Sequence, residues 1–238
     1  MTLRALRSAI RAEADPARAA FVAGFFKTGP GQYGEGDNFL GIAVPVLRRI
    51  AREHRELSLQ DTLTLLRSSW HEERAVALII LVEAHNRGTE KERVAIHRAY
   101  LANTAHVNNW DLVDAAAGDL VGSHIPERGM PMLERLAKSP SLWERRIAIV
   151  ATFWTIRHDN FAPTLAIAER LMNDGHDLLH KAIGWMLREV GKRDPAVLRA
   201  FLEIHAATMP RTALRYAIER MAPAERKDFM GRRARSRG

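Results

Sequence analysis

Apolar residues recur at three- and four-residue spacing along almost the whole chain, and no stretch sustains the strict alternation of a half-buried strand. The pattern predicts helices near residues 3–13, 16–27, 43–54, 58–68, 71–86, 90–102, 109–122, 129–138, 141–157, 161–173, 177–191, 195–206 and 210–221. Ser58, Thr89, Ser141 and Asp194 stand where N-caps belong, because their side-chain oxygens can accept an otherwise unpaired first-turn amide. Pro195 follows Asp194 at the first helical position, where its missing N–H is no loss.

Short helices joined by short connections suit either a closed bundle or a repeat array, so internal similarity is the test. Trp70-His71-Glu72-Glu73-Arg74 aligns with Leu142-Trp143-Glu144-Arg145-Arg146, placing Arg74 on Arg146 at an offset of 72 residues. Half that offset reaches Trp110, and a further half beyond Arg146 reaches Ala182 in Lys181-Ala182-Ile183-Gly184-Trp185. A period near 36 residues accommodates two helices and two turns, as in HEAT or armadillo stacking. The expected fold is all-α: a right-handed α-α superhelix, or solenoid, of HEAT-like repeats over residues 1–225 with a concave basic groove. A basic tail, 226–238, is expected to fray. In such a stack the second helices line one wall, which would set Arg74, Trp110, Asp114, Arg146 and Trp185 side by side.

Charge adds a partner to this picture. The chain has 36 Lys and Arg against 28 Asp and Glu, a formal net charge of +8 and a pI near 10.4. Such an excess favours a polyanion, since each neutralised phosphate releases counterions; a membrane surface is the weaker alternative, and basic proteins without any such partner are common. There is no cysteine, which removes disulfides, thiolate metal sites and cysteine nucleophiles together and fits a reducing, cytoplasmic setting. The first fifteen residues carry Arg4, Arg7, Arg11 and Glu13 and lack the apolar core of a signal peptide. The longest apolar stretch, Ala75 to Val82, is too short to span a bilayer.

Two segments imitate other chemistry. Gly29-Pro30-Gly31-Gln32-Tyr33-Gly34 spells the dinucleotide-binding glycine spacing, but that site needs a strand before it and a helix opening on the last glycine. Here a helix precedes and Glu35-Gly36-Asp37-Asn38 follows, so a loop is the better reading and no nucleotide cofactor is expected. His176 and His180 lie four apart, a spacing that can serve a metal; with no third ligand at comparable spacing, surface histidines fit better and no metal is expected.

The chemistry concentrates in Asn109-Trp110-Asp111-Leu112-Val113-Asp114. A helix starting there puts Trp110 and Asp114 one turn apart on the same face. Asn109 reads as a cap and Asp111 as a partner of the helix dipole. Asp114 has no such structural excuse, standing a turn inside a helix of apolar and small residues. Trp185 has Gly184 beside it within a helix, where glycine costs about 1 kcal/mol relative to alanine; something must pack close to that backbone. A tryptophan in an apolar helix is more often core than platform, and Arg146 alone reads as a solvated arginine; stacked beside Trp110 and Trp185 by the repeat, it becomes a candidate phosphate clamp.

These segments resemble the AlkD-type DNA glycosylases of the DNA alkylation repair family, which are built of HEAT-like repeats. The resemblance runs through Phe39-Leu40-Gly41-Ile42 with Pro45, Trp110-Asp111-Leu112-Val113-Asp114, Trp143-Glu144-Arg145-Arg146 and Lys181-Ala182-Ile183-Gly184-Trp185-Met186-Leu187-Arg188-Glu189, in order, from about residue 20 to 220. It implies a monofunctional, cofactor-free enzyme that hydrolyses the N-glycosidic bond of positively charged N3- or N7-alkylated purines in duplex DNA without flipping the base into a pocket. It assigns Asp114 as the catalytic carboxylate, Trp110 and Trp185 as the aromatic pair against the lesion's deoxyribose, and Arg146 as the phosphate contact. Arg74, Lys181 and Arg188 are expected as further DNA-binding cations, and a monomer is the expected form. Where relatives can carry a tyrosine in the N-terminal helices this chain has Phe25, with Tyr33 in the following loop, which puts a hydroxyl contact to DNA from that helix in doubt. The alternatives are a non-catalytic repeat protein that binds branched or damaged DNA, and a protein-binding scaffold.

Overall fold

The computed structural model describes residues 2–232, and the side chains of all of these but Glu127 and Arg128. Among the described residues every regular element is helical, and only an isolated bridge between Asn38 and Trp70 has β character. The chain divides into two compact units, one ending at Leu120 and the other beginning at Val121.

The first unit comprises α1 (Leu3–Ala12), α2 (Pro16–Phe25), α3 (Val44–Glu53), α4 (Leu59–Leu66), α5 (His71–Arg87), α6 (Glu90–Leu101) and α7 (Trp110–Leu120). Its centre is α5, which packs against α3, α4, α6 and α7 and buries Val76, Ala77, Leu78, Ile80 and Leu81. A helix apolar on most of its faces has to be surrounded, and the run from Ala75 to Val82 meets that condition. By contrast α2 buries none of its residues; Phe21 is 76% and Phe25 58% exposed.

The second unit comprises α8 (Ile125–Ala137), α9 (Leu142–Ala151), α10 (Phe153–Arg157), α11 (Ala162–Leu171), α12 (Asp177–Arg193), α13 (Pro195–His205), α14 (Arg211–Ala217) and α15 (Pro223–Gly231). Here α12 is central, packing against α9, α11, α13 and α14. The helix predicted over 141–157 is divided at Thr152, and α8 is broken at Gly129, where φ is +62° two residues before Pro131. That break is why the apolar spacing revealed only the later part of α8. Helix α15 carries helical structure into the basic stretch expected to fray from 226; Arg232, just past its end, is tied to Glu203 and Asp228. The remaining tail arginines, Arg233, Arg235 and Arg237, lie outside the described residues.

Capping chemistry sets most of these boundaries. Ser58, Thr89 and Ser141 accept from the amides three residues on, Asp194 accepts from Ala196 and Val197, and Thr89 with Glu92 forms a reciprocal capping box. The second helices begin at residues 71 and 110 in the first unit and at 142, 177 and 211 in the second, so the period stays near that read from the sequence. Side-chain contacts repeat it: Arg67 donates to Asn103, 36 residues away, and His205 pairs with Glu169, also 36 away.

The register differs by one residue from the alignment of Arg74 with Arg146. Arg74 and Arg145 each donate Nη1 to the carbonyl of a serine six residues earlier, Ser68 and Ser139 respectively. Those serines in turn each accept from the amide two residues on, that of Trp70 and that of Ser141. Arg145 is therefore the counterpart of Arg74. Arg146, the fifth residue of α9, corresponds to Ala75 in α5, Asp114 in α7 and Lys181 in α12.

The glycine flagged beside Trp185 has its reason. A Cβ on Gly184 would lie 2.4 Å from the Ala213 carbonyl oxygen and 2.5 Å from the Tyr216 Cβ, so α14 crosses α12 at backbone contact. Gly184→Ala gains about 1 kcal/mol of helix propensity but forces apart two backbones, and overpacking of this kind costs about 1–3 kcal/mol. We expect a net destabilisation of up to about 2 kcal/mol, read as a lower denaturation midpoint with the m-value unchanged.

Candidate functional site

Trp110 and Asp114 fall on one face of α7, as their spacing requires, and that face closes one side of a cleft of about 400 Å³ in the first unit. The other walls come from Val22 and Phe26 at α2, Phe39 and Ile42 in the loop before α3, Leu47 and Arg48 on α3, and Ala75 and Ile79 on α5. The lining is chiefly apolar and aromatic, with His71, Asp111 and Asp114 facing in and Arg18 and Arg48 supplying cations. Such a composition suits a flat ring that carries positive charge: aromatic faces attract a cation, and carboxylates offset it.

The aromatic wall is a continuous stack. Phe26 lies against Trp110 at 5.3 Å between centroids with an interplanar angle of 18°, and against Phe39 at 5.1 Å and 19°. His71 stacks on Phe39 at 4.4 Å. Phe25 meets the Trp110 ring edge-on at 6.1 Å while remaining exposed. Helix α2 thus presents a bare phenyl ring beside Trp110.

Behind the stack runs a chain of charges absent from the expected site. Arg74 donates to Asp37 Oδ1 at 2.6 Å; Asp37 Oδ2 lies 2.8 Å from His71 Nδ1; and His71 Nε2 lies 2.7 Å from Asp111 Oδ2. Burial lowers the pKa of His71, but hydrogen bonds and charge from Asp111 and Asp37 outweigh it and raise the value from 6.5 to about 9. For Asp37, burial acts upward and is overcome by His71 and Arg74, which hold the carboxyl below its ordinary range. His71 is therefore an imidazolium at neutral pH. Asp111, assigned from sequence to the helix dipole, is its partner.

Arg74 changes role accordingly. It is 4% exposed, with Nη1 on the Ser68 carbonyl and Nη2 on Asp37, so its guanidinium is withdrawn from any phosphate that approaches the surface. Ala75, one residue on, faces the cleft instead. The glycine-spaced segment is a run of turns between α2 and α3, with Gly31 and Gly36 at positive φ; its function in the fold is to deliver Asp37 to His71 and Arg74.

The two residues between His71 and Arg74 secure the surroundings. Glu72 is buried and accepts from the backbone amides of Leu40, Gly41 and Ile42 at 2.7–3.2 Å. Gly41 sits at φ +81°, and a Cβ there would lie 2.3 Å from the Asp15 carbonyl oxygen, so the loop passes the start of α2 at backbone contact. Glu73, also buried, pairs with Arg7 and Arg11 of α1. Behind Asp114, the fully buried Tyr100 has a hydroxyl without a hydrogen-bond partner, and burial together with the charge of Asp114 pushes its pKa upward.

The other expected residues lie in the second unit. Trp185 donates its indole N–H to Glu189 at 3.2 Å and has Phe153 at 6.1 Å. Arg146 is 4% exposed and donates to the Leu178 carbonyl at 2.6 Å. Lys181 is half exposed and paired with Asp177 at 2.9 Å, and Arg188 pairs with Glu219. His176 caps α12 by accepting from the Leu178 amide, and His180 Nε2 meets the Asp174 carbonyl at 2.6 Å, so both serve the turn before that helix.

A raised histidine pKa contributes stability that is complete below the unfolded value, about 6.5, and is lost as the pH rises through about 9. The shift corresponds to about 3 kcal/mol. Urea unfolding measured from pH 6.5 to 10 should therefore show a falling stability of that order, and His71→Gln should flatten the slope in this window. Asp37 acts at the other end: its depressed pKa contributes above the ordinary carboxylate range, and that contribution is lost in acid as the pH falls through the folded value.

The comparisons with known proteins agree with this architecture. No curated protein matches the sequence. A predicted DNA alkylation repair enzyme from Enterococcus faecalis superposes with a TM-score of 0.69 over 89% of this chain and 98% of its own, at 19% sequence identity; at that identity the likeness concerns the fold. The sequence pattern of the DNA alkylation repair enzyme family matches residues 6–221, and the chain belongs to that family.

Proposed function

We propose that this protein is a monofunctional DNA glycosylase that releases cationic N3- and N7-alkylated purines from duplex DNA. The observation that carries the reading is Asp114, set one turn from Trp110 on the face of α7 that lines an aromatic cleft. Family membership supports a role in alkylation repair, and the net charge of +8 suits a phosphate backbone. A groove that only binds DNA gains nothing from a carboxylate of the same sign as the phosphates.

The chemistry follows from charge. An alkylated purine is already cationic, so when the N-glycosidic bond breaks the electron pair leaves with the base and neutralises it. Positive charge then develops on the deoxyribose, where a fixed carboxylate at Asp114 and the face of Trp110 stabilise it. Water adds to C1′ and passes its proton to Asp114. No metal or nucleotide is required, and the base need not be turned out of the helix for these groups to act on the sugar. By the family resemblance Trp185 is a second aromatic contact to the deoxyribose; Lys181 and Arg188 serve as supporting cations, while Arg146, as buried as Arg74 and donating to the Leu178 carbonyl, is withdrawn from phosphate in the same way.

Release of 7-methylguanine from methylated duplex DNA tests the reading. We expect the parent protein to release it and Asp114→Asn to lose activity by on the order of 10²-fold or more, with DNA affinity held or slightly raised because one negative charge is removed. Tight DNA binding by a parent protein that releases no base would instead establish a non-catalytic repeat protein that holds damaged or branched DNA.

A further inference from the structure

We propose that His71 is a positioning residue for base release, held between Asp37 and Asp111 so that it fixes the first turn of α7 and with it the Trp110 indole and the Asp114 carboxylate. This rests on the glycosylase reading of the cleft. Nothing in the chemistry attributed to Asp114 and Trp110 requires a histidine, yet the ring is buried at the back of the same cleft and meets both of them through its neighbours.

Both ring nitrogens face carboxylate oxygens, Nδ1 at 2.8 Å from Asp37 and Nε2 at 2.7 Å from Asp111. A carboxylate only accepts, so both nitrogens must donate, and only the protonated ring has two N–H groups. Asp37 is itself immobilised by Arg74, which makes the loop side of the clamp rigid. The other side is Asp111, the second residue of α7, with Trp110 next to it and Asp114 one residue short of a full turn beyond.

The ring also acts through its faces. It stacks on Phe39 at 4.4 Å and lies 5.1 Å from Phe26, the residue that stacks on the indole of Trp110. Trp110 is thus held twice from His71: along the backbone from Asp111 and through Phe26. The charged groups around the ring are Asp37 from the loop, Asp111 and Asp114 from α7, and Arg74 and Glu72 on its own helix, with Arg18 of α2 and Arg48 of α3 at the same cleft. The nearest are the two carboxylates.

Loss of the second proton would leave a ring lone pair opposite a carboxylate oxygen at hydrogen-bond distance, and that contact would open. The first turn of α7 would then loosen, and the indole and the Asp114 carboxylate would lose their fixed placement, to which rate is sensitive. Pairing with the two carboxylates, against the opposing effect of burial, puts this event near pH 9. Base release should accordingly show an alkaline limb that belongs to His71, a residue that touches neither base nor sugar.

The test follows His71 and Trp110 separately from activity. In the parent protein, the His71 ring resonances and the indole N–H resonance of Trp110, identified by its loss in Trp110→Phe, should titrate with one midpoint near pH 9. Asp111→Asn, at a partly exposed position, should lower that midpoint by about one pH unit or more and shift the alkaline limb of 7-methylguanine release by the same amount. His71→Gln should flatten the Trp110 response between pH 7 and 10 and lower kcat by about tenfold or more, leaving KM for DNA unchanged. A Trp110 resonance indifferent to the His71 titration, or an alkaline limb that Asp111→Asn leaves in place, would overturn the proposal. Linked titrations in a protein that releases no base would retain the clamp and remove the glycosylase reading.

Discussion

Four consecutive polar side chains, His71, Glu72, Glu73 and Arg74, are buried at the start of α5, and between them they hold the loop that joins α2 to α3, helix α1 and the start of α7. His71 and Arg74 grip Asp37 from the loop after α2; Glu72 takes three amides of the loop before α3; Glu73 takes two arginines of α1. A buried charge without a partner costs several kcal/mol, so none of these contacts can be abandoned singly. The first turn of one helix thereby fixes three neighbouring segments at once. Hydrophobic burial of α5 supplies the driving force, but it is non-directional; the four polar residues decide where the loops lie.

That constraint reaches the cleft because the loops it fixes are the cleft's walls. Ile42 and Leu40, the residue after Phe39, donate their amides to Glu72, Asp37 is held by Arg74, and Phe26 stacks on Phe39. Trp110 completes the stack from α7, with Asp111 returning to His71. A site meant to stabilise charge as it develops must be organised beforehand, since reorganisation at the moment of reaction adds to the barrier. Here the organisation is electrostatic as well as steric: a buried cation between two carboxylates lies behind the aromatic wall, while Asp114 faces the open side.

Helix α2 departs from this rigidity. It buries no residue, presents Phe21 and Phe25 to solvent, and is joined to the unit at its ends, by the Asp15 amide on the Leu40 carbonyl and by Phe26 against Phe39 and Trp110. An exposed phenyl ring beside Trp110 preserves aromatic surface where a tyrosine would add a hydroxyl, so this helix offers stacking without a donor.

The sequence by itself determined most of the helices, their caps and their period, because these depend on local spacing and on side chains that reach their own first turn; the start of α8, the division at Thr152 and α15 escaped it. Thr89 with Glu92, and Asp194 with Pro195, fix boundaries without help from the rest of the chain. It also placed Trp110 and Asp114 on one face and marked Gly184 as a close crossing, both consequences of helical geometry. Tertiary structure decided the rest. Alignment could slide by one residue, and only the matched Ser68–Arg74 and Ser139–Arg145 contacts set the register that turns Arg74 inward and Ala75 toward the cleft. Likewise the segment Trp-His-Glu-Glu-Arg announced a repeat but not the clamp within it. Asp37 and Asp111 lie 34 and 40 residues from His71, and no local pattern pairs groups that only the packing of three segments brings together.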